Sequence, residues 1–222
     1  MIIGLTGTYC AGKNHVAAIF EKRGFPSIDV DKLGYQVLEV EKDAICAKFG
    51  SDLQALLEAQ NRENSAWFSK SKLHPLSGED RRLLGQIVFS APEKLAALEA
   101  IVHPATNRLT EEWITEKEKS GAKACIINAA LLHRSSVFDR LERIILVTAP
   151  YLIRLYRARR RDRLPWQEIV ERFNNQKDFN TQYLSGKAEI YRVGNSGCPI
   201  IGNLILKKQI DKFINNFIEG TV

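Results

Sequence analysis

The sequence lacks any long hydrophobic run. Its 222 residues are 45% hydrophobic, yet no stretch approaches the roughly 18 consecutive apolar residues that a membrane-spanning helix needs. The apolar segment at residues 2–6 is too short for the hydrophobic region of a secretion signal, and no charged region precedes it. We therefore expect a cytoplasmic protein with no membrane partner.

Metal-binding residue types are scarce and scattered. The four cysteines, Cys10, Cys46, Cys125 and Cys198, are far apart and show no metal-ligand spacing, and no two of the four histidines have such spacing either. Reduced thiols are therefore expected, and a zinc site is not.

Acidic residues are the less abundant charged type. The chain has 32 Lys and Arg against 26 Asp and Glu, a net charge of +6. This balance suits a polyanionic ligand, either a nucleotide or a nucleic acid, although ordinary solvated surface charge would have the same composition. The length predicts a single domain, or one core with insertions.

A phosphate-binding loop is the clearest motif. Residues 7–14 read GTYCAGKN, which fits G-x-x-x-x-G-K except that Asn14 stands where Ser or Thr is usual. The glycines let consecutive backbone N–H groups point at phosphate oxygens, and Lys13 adds a positive charge. A glycine turn can carry a lysine by chance. Here, however, the motif lies between a strand at residues 2–6 and a helix at residues 13–23, the context that a nucleotide site requires.

Two carboxylates belong to the second predicted strand. Residues 25–31, FPSIDVD, are typical of a strand that ends at the edge where parallel sheets bind ligands. At a spacing of two, Asp29 and Asp31 project from one face of an extended chain. A kinase needs such a carboxylate to accept a hydroxyl proton. The alternative is that Asp31 caps the following helix, and the two roles are compatible.

Arginine is concentrated in one segment. Residues 154–163 contain six arginines in ten, and on a helix Arg154, Arg157 and Arg161 share one side. Guanidinium groups match phosphate geometry. A solvated helix face or a nucleic-acid patch would look similar, but the flanking Tyr156 and Trp166 form no stacking platform. Beside a phosphate loop, the segment favours a lid that closes over phosphates, and no nucleic-acid partner is expected.

The remaining elements predict an α/β fold with a parallel sheet flanked by helices. Further strands are expected at 123–128, 143–148 and, more weakly, 190–193, and an amphipathic helix at 204–218. Between residues 32 and 103 only helices are expected, including 79–90 and 92–102, with a polar loop at 61–78. We predict one domain, 1–222, with a core of about 1–31, 105–153 and 186–222, a helical region of about 32–104, and a lid of about 154–185.

The order of these pieces resembles the dephospho-CoA kinase family, P-loop kinases of the nucleotide-kinase type. The resemblance covers nearly the whole chain and includes the Asp-x-Asp step, the Val-His-Pro step at 102–104, the Arg-Asp lid motif at 157–162, Gln176 and the late loop at 193–197. The phosphate loop and Asp-x-Asp are common among kinases. The His-Pro step and the lid motif in this order make the resemblance specific.

The resemblance implies transfer of the ATP γ-phosphate to the ribose 3′-hydroxyl of dephospho-CoA. Lys13, Asp31 and Arg161 would be catalytic: Lys13 would hold the β- and γ-phosphates, Asp31 would deprotonate the hydroxyl, and Arg161 would offset developing charge. The helical region would become a substrate-binding insertion, with Asp31, Arg81 and His103 contacting dephospho-CoA.

ATP and a metal ion have further implied contacts. Mg²⁺ would bridge phosphate oxygens, and Asn14 is a candidate ligand through its amide oxygen. The residues expected to bind ATP are Thr8, Cys10, Ala11, Gly12, Lys13, Asn14, His15, Arg157 and Asn195.

The chain departs from the family pattern at three places. Asn14 replaces a hydroxyl residue, Gly85 stands where an arginine is usual, and residues 128–133, NAALLH, stand where the family shows Pro-Leu-Leu followed by glutamate. Two alternatives therefore stay open: another small-molecule P-loop kinase, or a nucleotide-binding relative that has lost catalysis. Monomer and homo-oligomer are both compatible with the sequence.

Overall fold

The central strand of the sheet is Ile2–Gly7 (β1), and all six of its residues are buried. The computed structural model describes residues 1–59, 77–162, 164–174, 188–196 and 201–220. Four more strands run parallel to β1 in the spatial order β2-β3-β1-β4-β5. Their bounds are Ser27–Asp29 (β2), Cys125–Asn128 (β3), Arg143–Thr148 (β4) and Glu189–Gly194 (β5). The predicted parallel sheet flanked by helices is confirmed.

Each face of the sheet has its own apolar layer. Alternate residues of β1, such as Ile3 and Leu5, pack with the first helix, Lys13–Lys22 (α1), and with the last described helix, Ile201–Phe217 (α8). Ile2 on the other face joins a cluster that includes Ile114. The strands are therefore covered on both sides, which explains their continuous apolar runs.

The other described helices are Val30–Val40 (α2), Lys42–Ala59 (α3), Gly78–Val88 (α4), Pro92–Lys119 (α5), Tyr151–Asp162 (α6) and Trp166–Asn174 (α7). Two short 3₁₀ turns, Leu132–Arg134 and Phe138–Arg140, follow β3. None of the helices among the described residues is long and apolar enough to cross a membrane.

The second strand is shorter than the sequence predicts. The prediction placed residues 25–31 in one strand, but β2 ends at Asp29 and α2 begins at Val30. Asp31 therefore lies in the first turn of a helix, and the expectation that it extends from the same strand face as Asp29 is wrong. A carboxylate in this position is favoured by the positive end of the helix dipole.

The helix predicted at 92–102 is much longer. It begins at Pro92 as expected but continues through Pro104 to Lys119. An internal proline removes one backbone hydrogen bond, yet the packing of Leu98 before this position and the burial of Ala105 and Ile114 after it stabilise the continuous helix.

The chain divides into two compact units, Met1–Asp31 with Thr110–Val222, and Lys32–Leu109. The second unit is helical and has its own core between α3, α4 and the first part of α5, in which Phe49, Leu53 and Leu84 are buried. An ion pair between Lys94 and Asp52, with a 2.6 Å N–O distance, joins α5 to α3. Most of the predicted loop 61–78, together with Arg163 and Gln176, lies outside the described residues.

Candidate functional site

The loop between β1 and α1 is tightly curled. The Ala11 N–H donates to the Thr8 carbonyl at 2.9 Å, and both Cys10 and Gly12 have left-handed backbone conformations, with φ of 58° and 96°. Gly12 precedes α1 with no side-chain cap, so the N–H groups of the first helical turn are not bonded by a capping side chain. Left-handed residues alternating with ordinary ones form the concave N–H arrangement that binds phosphate.

Two polar side chains hold the loop in place. Arg157 of α6 donates to the carbonyls of Cys10 and Ala11 at 3.3 and 3.1 Å and to Asn195 Oδ1 at 3.0 Å. Asn195 Nδ2 donates to the Ala11 carbonyl at 2.9 Å. A side chain at Gly12 would place its Cβ against Asn195 Nδ2, and the left-handed backbone of Gly12 also favours glycine. The loop accepts these hydrogen bonds through its carbonyl oxygens. A phosphate binds backbone N–H groups instead, so these hydrogen bonds do not compete with phosphate.

An amide bridge lies on the acidic side of the loop. Asp29 and Asn128 are register partners at the ends of β2 and β3. Asn14, in the first turn of α1, donates to Asp29 Oδ2 at 3.2 Å and accepts from Asn128 Nδ2 at 2.9 Å. Asn128 is only 2% exposed, and its Oδ1 has no hydrogen-bond partner among the described residues. Sequence reasoning missed this role of Asn128, and the only signal was a polar residue that ends a buried strand.

Asp31 is held by the backbone that follows β3. Both carboxylate oxygens accept from the Ala130 N–H, at 3.3 and 3.2 Å. Burial raises the pKa of Asp31 above its ordinary value, while the Ala130 hydrogen bond and the charge of Lys13 act in the opposite direction. A carboxylate with a raised pKa is a better proton acceptor near neutral pH.

Lys13 shares this environment. Burial lowers the pKa of Lys13, and the negative charges of Asp31 and then Asp29 partly restore it. The structure thus brings together the loop lysine and both predicted carboxylates, although they come from three different elements. The arrangement combines a half-buried positive charge for phosphate with an adjacent base.

The arginine-rich helix α6 lies on the other side of the loop. Ala158 is fully buried in a small cluster with Cys10. Arg154, Arg157 and Arg161 were predicted to share one side of the helix. Their contacts, with the Phe173 ring, the Ala11 carbonyl and the Tyr9 ring, agree with this. Arg161 donates to both oxygens of Asp162, at 2.6 and 3.0 Å.

The remaining predicted residues are more dispersed. The ring of His15 lies 3.2 Å from Asn203 Oδ1 of α8. Arg81 belongs to α4, where its guanidinium carbon lies 5.3 Å from the centre of the Tyr35 ring, and His103 is exposed on α5. Both belong to the second unit. No group of three or more His, Cys, Asp or Glu side chains that could hold a metal ion occurs in the part of the chain that is described.

Comparisons with known proteins agree on one family. The model of the dephospho-CoA kinase family matches residues 1–190. A dephospho-CoA kinase of Treponema pallidum is 29% identical over 196 residues, covering 88% of this chain and 87% of that protein. One from Geobacter metallireducens is 32% identical over 199 residues, with coverages of 88% and 90%.

Solved structures agree in fold. A crystal structure from Thermus thermophilus has 28% identity and a TM-score of 0.69, covering 100% of this chain and 98% of the other. A dephospho-CoA kinase from Campylobacter jejuni has 22% identity and a TM-score of 0.66, with the same coverages.

Proposed function

The chain belongs to the dephospho-CoA kinase family, and we infer that it transfers the γ-phosphate of ATP to the ribose 3′-hydroxyl of dephospho-CoA, giving coenzyme A and ADP. The family and the reaction predicted from the sequence are confirmed by the family match and the named relatives. The observation that carries the assignment in this structure is the meeting of a phosphate loop, the half-buried Lys13 and an aspartate held by a backbone N–H, at the carboxyl ends of the parallel strands.

ATP binding is assigned to the loop and its supports. The N–H groups of the curled loop and of the first turn of α1 would hold phosphate oxygens, and Lys13 would neutralise the β- and γ-phosphates. Arg157 and Asn195 would act through the loop, because both bond to its carbonyl oxygens. Roles of Thr8, Cys10 and His15 in ATP binding stay predictions of the sequence.

Proton transfer is assigned to Asp31. As the ribose 3′-oxygen attacks the γ-phosphorus and the bond to the ADP oxygen breaks, the hydroxyl proton would pass to the Asp31 carboxylate. The Ala130 N–H fixes the orientation of this carboxylate, and its raised pKa suits a base that works near neutral pH. Arg161 would offset the charge that builds up on the transferred group.

P-loop kinases use ATP with a divalent metal, and we propose Mg²⁺ here. The donors present fit it, because Asp29 supplies carboxylate oxygens and the Asn14 amide oxygen, although bonded to Asn128, keeps a second lone pair. Asp29 and Asn14 would hold the metal, which would supply positive charge that neutralises part of the phosphate charge.

The acceptor's remaining contacts are assigned to the second unit. Arg81 and His103 are the predicted contacts, and the helical unit 32–109 is the proposed binding region for dephospho-CoA. Monomer and homo-oligomer both remain compatible with this proposal, and a cytoplasmic location stays a prediction of the sequence.

A coupled assay tests the function. Purified protein with ATP and Mg²⁺ should release ADP with dephospho-CoA and not with a panel of nucleosides, nucleotides and shikimate, and the product should have the mass of coenzyme A. Faster ADP release with another acceptor would indicate a different small-molecule kinase. ATP binding without ADP release for any acceptor would indicate a relative that has lost catalysis.

A further inference from the structure

Tyr9 links the phosphate loop to the two helices of the predicted lid. Its ring makes an edge-to-face contact with Phe173 of α7, with 5.4 Å between ring centres, and Phe173 in turn contacts Tyr151 of α6 at 5.1 Å. The Tyr9 hydroxyl donates a hydrogen bond to Asp162, the last residue of α6. Tyr9 therefore contacts α7 through its ring and α6 through its hydroxyl.

Asp162 is the shared partner of several groups. Its side chain is 14% exposed, and it accepts the Tyr9 hydroxyl, both donors of the Arg161 fork and a longer contact of 3.9 Å from Arg172. The Arg161 hydrogen bonds are the main reason that the pKa of Asp162 lies below its usual range. The carboxylate is therefore charged at neutral pH and accepts hydrogen bonds from Tyr9 and Arg161 together.

The guanidinium groups also contact the Tyr9 ring. The central carbon of Arg161 lies 5.4 Å from the ring centre, and that of Arg172 lies 5.8 Å from it. Because 61% of the Arg161 side chain is exposed, burial alone does not fix its orientation. Among the described residues, the Asp162 carboxylate and the Tyr9 ring contact the Arg161 guanidinium and orient it.

We propose that Tyr9 is a positioning residue for phosphoryl transfer, whose hydroxyl fixes the Asp162 carboxylate and so orients the fork of Arg161. This inference rests on the proposed role of Arg161 in the reaction. An arginine contributes to catalysis only when its planar donors are aligned with the charge that develops in the transition state, so loss of alignment lowers kcat.

Two effects of Tyr9 can be tested separately: the packing of its ring against the helices, and the orientation of Asp162 and Arg161 by its hydroxyl. Cys10, Ala158, Ile169 and Phe173 already form an apolar cluster beneath the loop. Tyr9→Phe keeps the ring that joins this cluster and removes only the hydroxyl. If Tyr9 merely packs the helices, this change leaves the reaction as it was.

The first test compares Tyr9→Phe with wild-type protein in the dephospho-CoA assay. Since the lost hydrogen bond goes to a charged group, we expect kcat to fall about tenfold, with the KM values for ATP and dephospho-CoA changed less than about twofold. The matched control is Tyr156→Phe on α6, whose side chain is 66% exposed and which should keep wild-type kinetics. An unchanged kcat for Tyr9→Phe would overturn the inference.

A double-mutant cycle tests whether Tyr9 acts through Arg161. In an Arg161→Lys background, Tyr9→Phe should change kcat by less than about twofold, because the fork that it orients is gone. A second full loss of about tenfold would overturn the inference. If Arg161→Lys itself keeps wild-type kcat, the proposed role of the arginine falls and the inference falls with it. If Arg161→Lys is impaired and Tyr9→Phe is not, only the inference fails.

Discussion

The two sides of the phosphate loop are built differently. On the acidic side, Asp29 and Asn128 end adjacent strands in register, so the backbone spacing of the sheet, about 4.8 Å, sets their separation. On the basic side, Arg157 and Arg161 come from one helix and are positioned by side-chain partners, Asn195 and Asp162. The acidic side is thus part of the sheet, whereas the basic side is attached to it and should be easier to misalign by substitution.

The largest effect is expected for Lys13→Ala. This change removes the positive charge that interacts with residues on both sides of the loop. The positive end of Lys13 interacts with Asp31, Asp29 and Arg161. Turnover should fall by about 10³-fold or more, and ATP binding should weaken strongly in equilibrium titration, while the fold is kept. Lys22→Ala, in the last turn of the same helix, is the control and should behave as wild type. Near-wild-type turnover of Lys13→Ala would refute the phosphate-loop assignment.

Asp31→Asn should remove the proton acceptor on the acidic side of the loop with little change in side-chain shape. Turnover should fall by about 10²–10⁴-fold, because the proton acceptor is lost, while ATP affinity measured by titration is little changed. Asp29→Asn is the paired variant and should cost less. Equal loss from Asp29→Asn together with none from Asp31→Asn would exchange their roles.

Arg161→Lys tests the basic side. Charge is conserved but the two-donor fork is lost, so kcat should fall by about 10–100-fold. Arg159→Lys on the same helix should be tolerated, since Arg159 is exposed. Steady-state kinetics that do not distinguish the two variants would place the whole arginine run on a solvated face.

Asn14→Thr removes the amide group that joins Asp29 to Asn128 on the acidic side of the loop. A hydroxyl in this position should lower the Mg²⁺ concentration needed for half-maximal turnover at saturating ATP. The variant should also be less stable by about 1–3 kcal/mol in denaturant unfolding, because the buried Asn128 Nδ2 loses its acceptor. A higher Mg²⁺ requirement would mean that Asn14 is itself the better ligand.

The smallest effect is expected for Ala130→Pro, which deletes the N–H that bonds to Asp31. This N–H lowers the pKa of the carboxylate, so its loss should raise that pKa further. A base must be ionised to act, and kcat therefore falls as the pH drops through the pKa of Asp31. In the variant this acid limb should move to higher pH, whereas Ala130→Gly should keep the wild-type profile. A limb that moves to lower pH would contradict the assignment of Asp31 as the base.

The sequence predicts best where one physical signal acts alone. Strand β4 was predicted with its observed bounds, because four consecutive apolar residues in a short segment are typical of a strand covered on both faces. Gly24 follows the helix predicted at 13–23, and it has the left-handed φ of 86° that is typical of a glycine just past a helix end. The phosphate loop was found from its spacing of glycines and lysine.

The prediction was wrong where two signals compete. The alternation in residues 28–31 is typical of a strand, but the helix already begins at Val30, and the helix predicted to end at residue 102 continues through Pro104. Contacts such as Gly12 with Asn195 and Tyr9 with Asp162 join residues more than 150 positions apart. Only the strand order and the position of α6 bring them together, so no local pattern could have shown them.

The central position of β1 has a consequence for synthesis of the protein. Its two neighbours, β3 and β4, begin at Cys125 and Arg143, more than 120 residues later in the chain. At about 5–20 residues per second, the ribosome needs on the order of ten seconds to supply them. During that time the apolar strand β1 has no pairing partner, while the helical unit that lies between β1 and β3 in the chain has already been synthesised. Of the strands in this sheet, the one that leads into the nucleotide site is synthesised first and has to wait for both of its neighbours.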